Sequence, residues 1–192
     1  MSPLCEEDRR ALLELARRAI VEAVVHDRVL EESPANPALA RLAGAFVTLH
    51  HCGRLRGCIG HIEATEPLAD SVARCAVSAA LHDPRFNPVS ADEIPGLGIE
   101  ISILTPPEIT RPEDIQIGLH GLLISRRWQR GLLLPQVAVE YGLSRERFLE
   151  ETCRKAGLPL DAWKDPETEI RAFTCEVFSE EERDDASPQS AA

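Results

Sequence analysis

Hydrophobic and polar residues alternate along two short runs, residues 45–51 and 54–62, which are separated by Cys52 and Gly53. Alternation over this length predicts β-strands with one buried face. The two residues between the runs suit the centre of a tight turn, because glycine adopts positive φ without a Cβ clash. The pattern therefore predicts a β-hairpin.

The second predicted strand contains the sequence Leu-Arg-Gly-Cys-Ile-Gly, residues 55–60. Alternation sends Arg56 and Cys58 to one face of the strand. With a two-residue turn, that face also carries Val47 and Leu49 of the first strand. Glycine inside a strand often marks a bulge, or a place where another backbone or a ligand comes close. Residues 55–60 are therefore the first candidate for a functional site.

Apolar residues at helical spacing predict a long first helix over residues 6–30 and a second helix over residues 68–81. Thr65 is predicted to cap the second helix, and Pro67 suits its first turn, where a missing N–H costs nothing. The second half of the chain is predicted to contain strands over residues 98–104, 122–126 and 170–178, and a short strand from Leu132 that ends at Pro135. A helix is predicted from about Gln136. Another is predicted over residues 145–156, with Ser144 as its cap and Gly157 at C′.

Hairpins mixed with helices, without a regular alternation of strand and helix, favour an α+β fold over a doubly wound parallel sheet. Gly118 and Gly121 do not form part of a G-x-G-x-x-G motif, which disfavours nucleotide binding. A chain of 192 residues can form one domain with two lobes. We predict a single domain over residues 1–178 and an acidic, disordered tail over residues 179–192.

The net charge of −11 and the lack of a dense basic run argue against nucleic acid and anionic membranes as partners. Since no signal segment or membrane span is found, a cytoplasmic location is predicted. In that compartment the six cysteines are expected to be free thiols. None of them forms a C-x-x-C pair, which disfavours a redox dithiol and a zinc ribbon. No cofactor is predicted.

Cys58 is the candidate for chemistry, because a cationic neighbour favours the thiolate, the nucleophilic and metal-binding form of cysteine. Arg56 is the predicted cation, so Cys58 and Arg56 form the candidate catalytic pair. The commoner role of a cysteine in a strand is that of a small apolar core residue. A metal site in this hairpin is a disfavoured alternative, because Cys58 and His61 face opposite ways on a regular strand. Its ligands would be His51, Cys52, Cys58 and His61.

Charged residues at two other places are candidates for binding. Asp83 and Arg85 lie in a proline-rich turn and are predicted either to form a structural ion pair, the commoner arrangement, or to hold a ligand. Glu100 would act as a base if it faced the site, and is otherwise the polar half of an amphipathic strand. The candidate ligand- or partner-binding residues are Gly57, Gly60, His51, Asp83, Arg85, Glu100 and Gln136.

Taken together, several stretches of the chain resemble the AmmeMemoRadiSam system protein A family, from about residue 12 to residue 178. The resembling stretches are residues 46–49, 55–60, 83–88, 100–102, 118–122, 133–137, 148–150 and 155–158. The resemblance implies a cytosolic α+β fold of two lobes, built from two β3α2-type repeats around a curved, barrel-like, mostly antiparallel sheet with helices packed outside. It also implies that the protein works with a radical-SAM protein and a Memo-type protein.

The resemblance implies neither a reaction nor catalytic residues, so two functions stay open. In the first, the protein is an enzyme or a thiol-bearing accessory that uses Cys58 beside Arg56. In the second, it is a non-catalytic module that docks on a partner, with residues 55–60 shaping a recognition groove. The sequence specifies no oligomeric state.

Overall fold

The structure is a computed structural model that describes residues 3–30 and 36–180. Its helices and strands, in chain order, are α1 (Glu6–His26), β1 (Gly44–His51), β2 (Arg54–His61), α2 (Leu68–Leu81), β3 (Leu97–Leu104), β4 (Glu108–Ile109), β5 (Gly121–Arg126), β6 (Gln129–Leu133), α3 (Pro135–Glu140), α4 (Arg145–Lys155), β7 (Glu169–Phe173) and β8 (Cys175–Ser179). Short 3-10 helices lie at Ala91–Gly96, Pro112–Asp114 and Ala162–Lys164. Among the described residues, no helix is long and apolar enough to cross a membrane.

The strands form two four-stranded sheets, in the orders β2-β1-β3-β8 and β4-β7-β5-β6. The predicted α+β class is confirmed, but the strands do not share one barrel-like sheet. The chain divides into two compact units. The described residues of the first unit lie before Leu104 and after Glu176, and the second unit is Leu104–Glu176. Each unit has its own hydrophobic core, which explains why each has its own sheet.

In the first unit, α1 and α2 bury one face each in the core that also contains Val47 and Ile101 of the sheet. Helix α1 ends at His26, four residues before the predicted end, because Asp27 adopts a left-handed φ of 51°. Helix α2 has the predicted bounds. The predicted cap at Thr65 is wrong, since Pro67 occupies the N-cap position.

The predicted hairpin is confirmed, but the pairing of β1 with β2 shifts between Leu49 and His50 and leaves Arg56 as an additional residue on β2. Beyond this β-bulge, Cys58 lies opposite Thr48. The prediction that Cys58 shares a face with Leu49 is therefore wrong, because one extra residue reverses the alternation of faces between paired strands.

In the second unit, β5 pairs with both β6 and β7 in antiparallel fashion. Helix α4 packs on this sheet and contributes the fully buried Phe148 to the core. The predicted cap is confirmed, because Ser144 Oγ accepts a hydrogen bond from the Arg147 N–H at 3.3 Å. Gly157 follows the helix with a φ of 71°, as its predicted C′ position requires.

The single last strand predicted over residues 170–178 is wrong. Strands β7 and β8 belong to different sheets, and Thr174 separates them. The Thr174 N–H donates to Thr105 Oγ1 at 2.9 Å, so this residue leaves the ladder of β7. Strand β8 runs through Ser179, and Glu180 forms an ion pair with Arg17, so the fold extends two residues into the predicted tail. The rest of that tail lies outside the described residues.

Candidate functional site

Cys58 lies on the face of the first sheet that points away from the hydrophobic core. Val47 and Leu49 of β1 and Ile101 of β3 belong to the core. Thr48 lies between these two core residues of β1, so its side chain points to the opposite face of the sheet. Cys58 pairs with Thr48 across the β1–β2 ladder and therefore lies on that same face. The side chain of Cys58 is partly exposed rather than sealed in the core. Cys58 is therefore not a fully buried core residue.

A hydroxyl group contacts the sulfur directly. Thr48 Oγ1 donates a hydrogen bond to Cys58 Sγ at 3.3 Å. Thr48 was not predicted as a site residue, because its place opposite Cys58 depends on the bulge.

The side chains of Asp83 and Arg85 form hydrogen bonds with the backbone of Cys58 at the edge of the first sheet. Among the strands that the structure describes, β2 lies at the edge of its sheet, because β1 alone pairs with it. The Cys58 N–H donates to Asp83 Oδ2 at 2.9 Å, and Arg85 Nη2 donates to the Cys58 carbonyl at 3.3 Å. Two side chains thus satisfy backbone groups that an edge strand would otherwise leave open.

Asp83 and Arg85 also form the predicted ion pair with each other. Arg85 Nη2 lies 2.6 Å from Asp83 Oδ2, and Arg85 Nε donates to Asp83 Oδ1 at 2.9 Å. These hydrogen bonds from Arg85 hold the pKa of Asp83 well below its usual range. The pKa of Arg85 is raised, first by its hydrogen bond to Asp83. Through its hydrogen bond to the Cys58 carbonyl, Arg85 brings a positive charge to the residue that carries the thiol.

The guanidinium of Arg56, the predicted cation, is bound elsewhere. Its Nε lies 2.7 Å from Glu93 Oε1, and its Nη1 donates to the Asn87 carbonyl at 2.9 Å. The hydrogen bond from Arg56 is the largest cause that lowers the pKa of Glu93 to about 2. Both Arg56 and Arg85 also lie over the ring of Phe86. Arg56 thus fixes residues 87–93 to the hairpin.

Gly57 and Gly60 allow close approach of other parts of the first unit. A Cβ atom on Gly57 would lie 2.2 Å from the carbonyl oxygen of Ala79 in α2. A Cβ atom on Gly60 would lie 2.3 Å from Cγ of Phe46 on the neighbouring strand. Both glycines are therefore required by packing, whatever else they contact.

The other predicted binding residues lie at three different places. His51 ends β1, and its Nε2 is near Gly96. Glu100 alternates with core residues of β3 and so lies on the same sheet face as Thr48. Gln136 lies in α3 of the second unit. Of the predicted set, the structure places Asp83 and Arg85 in contact with Cys58.

A second polar cluster joins the end of β2 to α2. His61 Nε2 lies 3.1 Å from Ser71 Oγ and 3.2 Å from Glu66 Oε1, and His61 Nδ1 lies 3.6 Å from Cys75 Sγ. Burial raises the pKa of the Cys75 thiol to about 11, so this sulfur stays protonated at neutral pH. Over residues 3–30 and 36–180, no three His, Cys, Asp or Glu side chains are grouped to hold a metal ion.

Comparison with known proteins gives consistent matches over almost the whole chain. A family model described as AMMECR1 matches residues 13–178. A protein of Methanothermobacter thermautotrophicus is 44% identical over 188 residues, which cover 94% of this chain and 98% of that protein. Protein TK0174 of Thermococcus kodakarensis is 46% identical and covers 88% of this chain and 89% of its own length. The crystal structure of the uncharacterised protein PH0010 from Pyrococcus horikoshii is similar with a TM-score of 0.88 at 41% identity, covering 93% of this chain and 94% of that one.

Proposed function

The chain belongs to the AMMECR1 family, as its sequence resemblance predicted, and we propose that it functions through a reactive thiol at Cys58. The observation that supports this proposal is the setting of Cys58: the residue is partly exposed, its sulfur accepts a hydrogen bond from Thr48, and its carbonyl accepts one from the Arg85 guanidinium. A thiol in such a setting is suited to act as a nucleophile or as a carrier of a bound group.

Three residues have separate parts in this proposal. Cys58 is the nucleophile, because the thiolate is the form of cysteine that attacks an electrophile. Arg85 stabilises that thiolate by its charge, and takes the part that the sequence assigned to Arg56. Asp83 is a positioning residue, because it binds both the Arg85 guanidinium and the Cys58 N–H. Arg56 acts indirectly, because it binds Glu93 and packs over the ring of Phe86 and so positions the turn that contains Phe86.

The rate of alkylation at each cysteine tests the proposal. At neutral pH, mild iodoacetamide treatment followed by mass spectrometry is expected to label Cys58 at least about tenfold faster than Cys75 and Cys175. Burial raises the pKa of those two thiols to about 11 and about 12, which leaves almost no thiolate to react. Equal labelling of the three residues would rule out a reactive Cys58.

Two variants of Arg85 separate the effect of charge from that of exposure. Arg85→Gln is expected to slow labelling of Cys58, whereas Arg85→Lys retains the charge and most of the rate. The exposed Cys52 at the hairpin turn is the internal reference, because its rate should be the same in both variants. If Cys58 and Cys52 slow together, the effect is not specific to Cys58 and the role of Arg85 is wrong.

A second candidate function, a partner-binding module, is supported by Trp128. This indole is 83% exposed at the turn between β5 and β6, and Arg127 beside it adopts a positive φ of 56°. Tryptophan is enriched at protein interfaces, where its large apolar surface becomes buried. The partners that we propose are a radical-SAM protein and a Memo-type protein in the cytoplasm, and the support for them is the family resemblance alone.

Co-expression of the tagged chain with those two proteins tests this second function. Trp128→Ala is expected to reduce capture of a partner about tenfold or more, because exposed aromatic anchors dominate many interfaces. Tyr141→Ala is the matched control, since Tyr141 is an exposed aromatic residue of the same unit. Cys58→Ser should keep both capture and cellular function if the protein is an adaptor. Loss of cellular function in a folded Cys58→Ser variant that still captures its partner would favour the thiol instead.

A further inference from the structure

The turn between β5 and β6 presents two large side chains to solvent. Arg127 and Trp128 occupy its centre, because Arg126 and Gln129 are the pair that closes the β5–β6 ladder. The side chain of Arg127 is exposed, and the indole of Trp128 is 83% exposed. Arginine and tryptophan are among the residue types that most often dominate the binding energy of protein interfaces. The turn therefore has the composition of an interface, and its charge indicates the kind of partner.

The guanidinium of Arg127 is not bound by its neighbours. Among the residues that the structure describes, none forms an ion pair or a hydrogen bond with this guanidinium. The adjacent Arg126 differs, because its Nη2 lies 2.9 Å from Asp165 Oδ2 and 3.1 Å from Glu167 Oε2. Arg126 thus fixes the end of the hairpin to the segment before β7, whereas the Arg127 side chain is accessible to a group of another molecule.

The backbone of Arg127 is a second reason to assign a role to its side chain. Its φ of 56° lies in the left-handed region, where glycine and asparagine are the usual residues of two-residue hairpin turns. A side chain with a Cβ atom is unfavourable there. Residues in this conformation that are not glycine cluster at functional sites, because the surrounding structure has to compensate for the strain.

The hairpin is basic although the chain is acidic. Residues 115–139 contain both strands and the turn, and they include three arginines but no aspartate or glutamate. The three arginines also outnumber the two carboxylates, Asp165 and Glu167, that contact the hairpin through Arg126. Charges more than about 8 Å apart are largely screened at physiological ionic strength. A group that contacts the turn therefore meets positive charge, despite the net charge of −11.

We propose that the β5–β6 turn binds an acidic surface of a partner protein. The Trp128 ring enters an apolar cleft of the partner, and Arg127 forms an ion pair with a carboxylate at the rim of that cleft. This inference rests on the partner-binding function proposed above and is independent of Cys58. A nucleic acid could also contact an arginine and a tryptophan, but its binding requires a wider basic surface than this turn provides.

Capture of the two co-expressed proteins from a nuclease-treated lysate tests the chemistry of the turn. Arg127→Gln is expected to reduce capture about tenfold, because it removes the charge that faces the carboxylate. Sodium chloride is expected to weaken capture by the wild type more than capture by Arg127→Gln. Arg10→Gln is the matched control, since it removes the same charge from an exposed position of α1 and is expected to leave capture unchanged.

Arg127→Gly separates a binding role from a structural role of the same residue. Glycine adopts positive φ without strain, so the temperature of unfolding is expected to stay the same or to rise. Capture is nevertheless expected to fall as it does in Arg127→Gln. A variant that is as stable as the wild type and binds as well would show that the Arg127 side chain has no role in binding.

The outcomes distinguish this inference from the partner-binding function on which it rests. If Trp128→Ala loses capture while Arg127→Gln and Arg127→Gly retain it, the partner-binding function stands and the acidic surface is refuted. If the wild type captures neither protein, both proposals are overturned. Capture that disappears on nuclease treatment would identify a nucleic acid as the ligand, and an equal loss in Arg10→Gln would show a response to net charge. Either result also refutes the inference.

Discussion

Gly57→Ala is expected to lower the free energy of unfolding by about 3 kcal/mol, which is the upper range for a methyl group forced into a packed interior. The added Cβ atom would lie 2.2 Å from the Ala79 carbonyl oxygen and 3.1 Å from its carbon. Both are backbone atoms inside α2, which cannot rotate away as a side chain can. The variant therefore has to separate α2 from β2, and urea unfolding followed by circular dichroism measures the cost.

Gly98→Ala is the matched control for this substitution. Gly98 is also a strand glycine of the first unit, but the atom nearest to its added Cβ is His50 Cβ at 4.0 Å, an ordinary contact. Its free energy of unfolding is expected to change by no more than about 0.5 kcal/mol. If the two variants unfold at the same urea concentration, the close approach of α2 to Gly57 is wrong.

Asp83→Asn is expected to lower the free energy of unfolding by about 2 kcal/mol at pH 7, because it removes charge-assisted hydrogen bonds from a buried carboxylate. The Asp83 side chain is 2% exposed, whereas Arg85 is 52% exposed, so solvent reduces the cost of leaving Arg85 without its partner. The same variant is expected to slow alkylation of Cys58, since Asp83 holds both Arg85 and the Cys58 N–H.

The pH dependence of that loss has a definite sign. The pKa of Asp83 is lower in the folded protein than in the unfolded chain, so its contribution is fully present above the unfolded pKa of about 4. The contribution declines as the pH falls from there through the folded pKa. Wild type and Asp83→Asn should therefore differ at pH 7 and converge as the pH falls below 4. Urea unfolding at a series of pH values measures the difference.

Glu169→Gln is the control that shows whether a lowered carboxyl pKa, without burial of the carboxylate, is enough to change the free energy of unfolding. Glu169 also pairs with an arginine, Arg171, and its pKa is also lowered, but its side chain is 43% exposed. Exposed ion pairs contribute little to stability, so no measurable change is expected. A loss at pH 7 as large as that of Asp83→Asn would show that burial of Asp83 is not the cause.

Some of the contacts around Cys58 were predicted from the sequence and others were not. Glycines next to Cys58 predicted that another backbone or a ligand comes close, and α2 does so at Gly57. Two roles were predicted for Asp83 and Arg85 in their proline-rich turn, a structural ion pair or ligand binding, and the ion pair is present. The contact of Arg85 with Cys58 was not predicted, because the two residues lie 27 positions apart in the sequence. The alternation of faces along β2 predicted Arg56 as the cation beside Cys58 instead.

The sequence by itself determined the α+β class, the β1–β2 hairpin, the bounds of α2 and the cap of α4, since these depend on hydrophobic periodicity and on residues within a few positions of each other. Only the tertiary structure decided the bulge at Arg56, the division of the last strand between two sheets and the exposure of Trp128. The physical reason is that register, sheet membership and the exposure of a side chain depend on which distant segments pack together. Such packing is a property of the whole unit and leaves no periodic signal in a local stretch of residues.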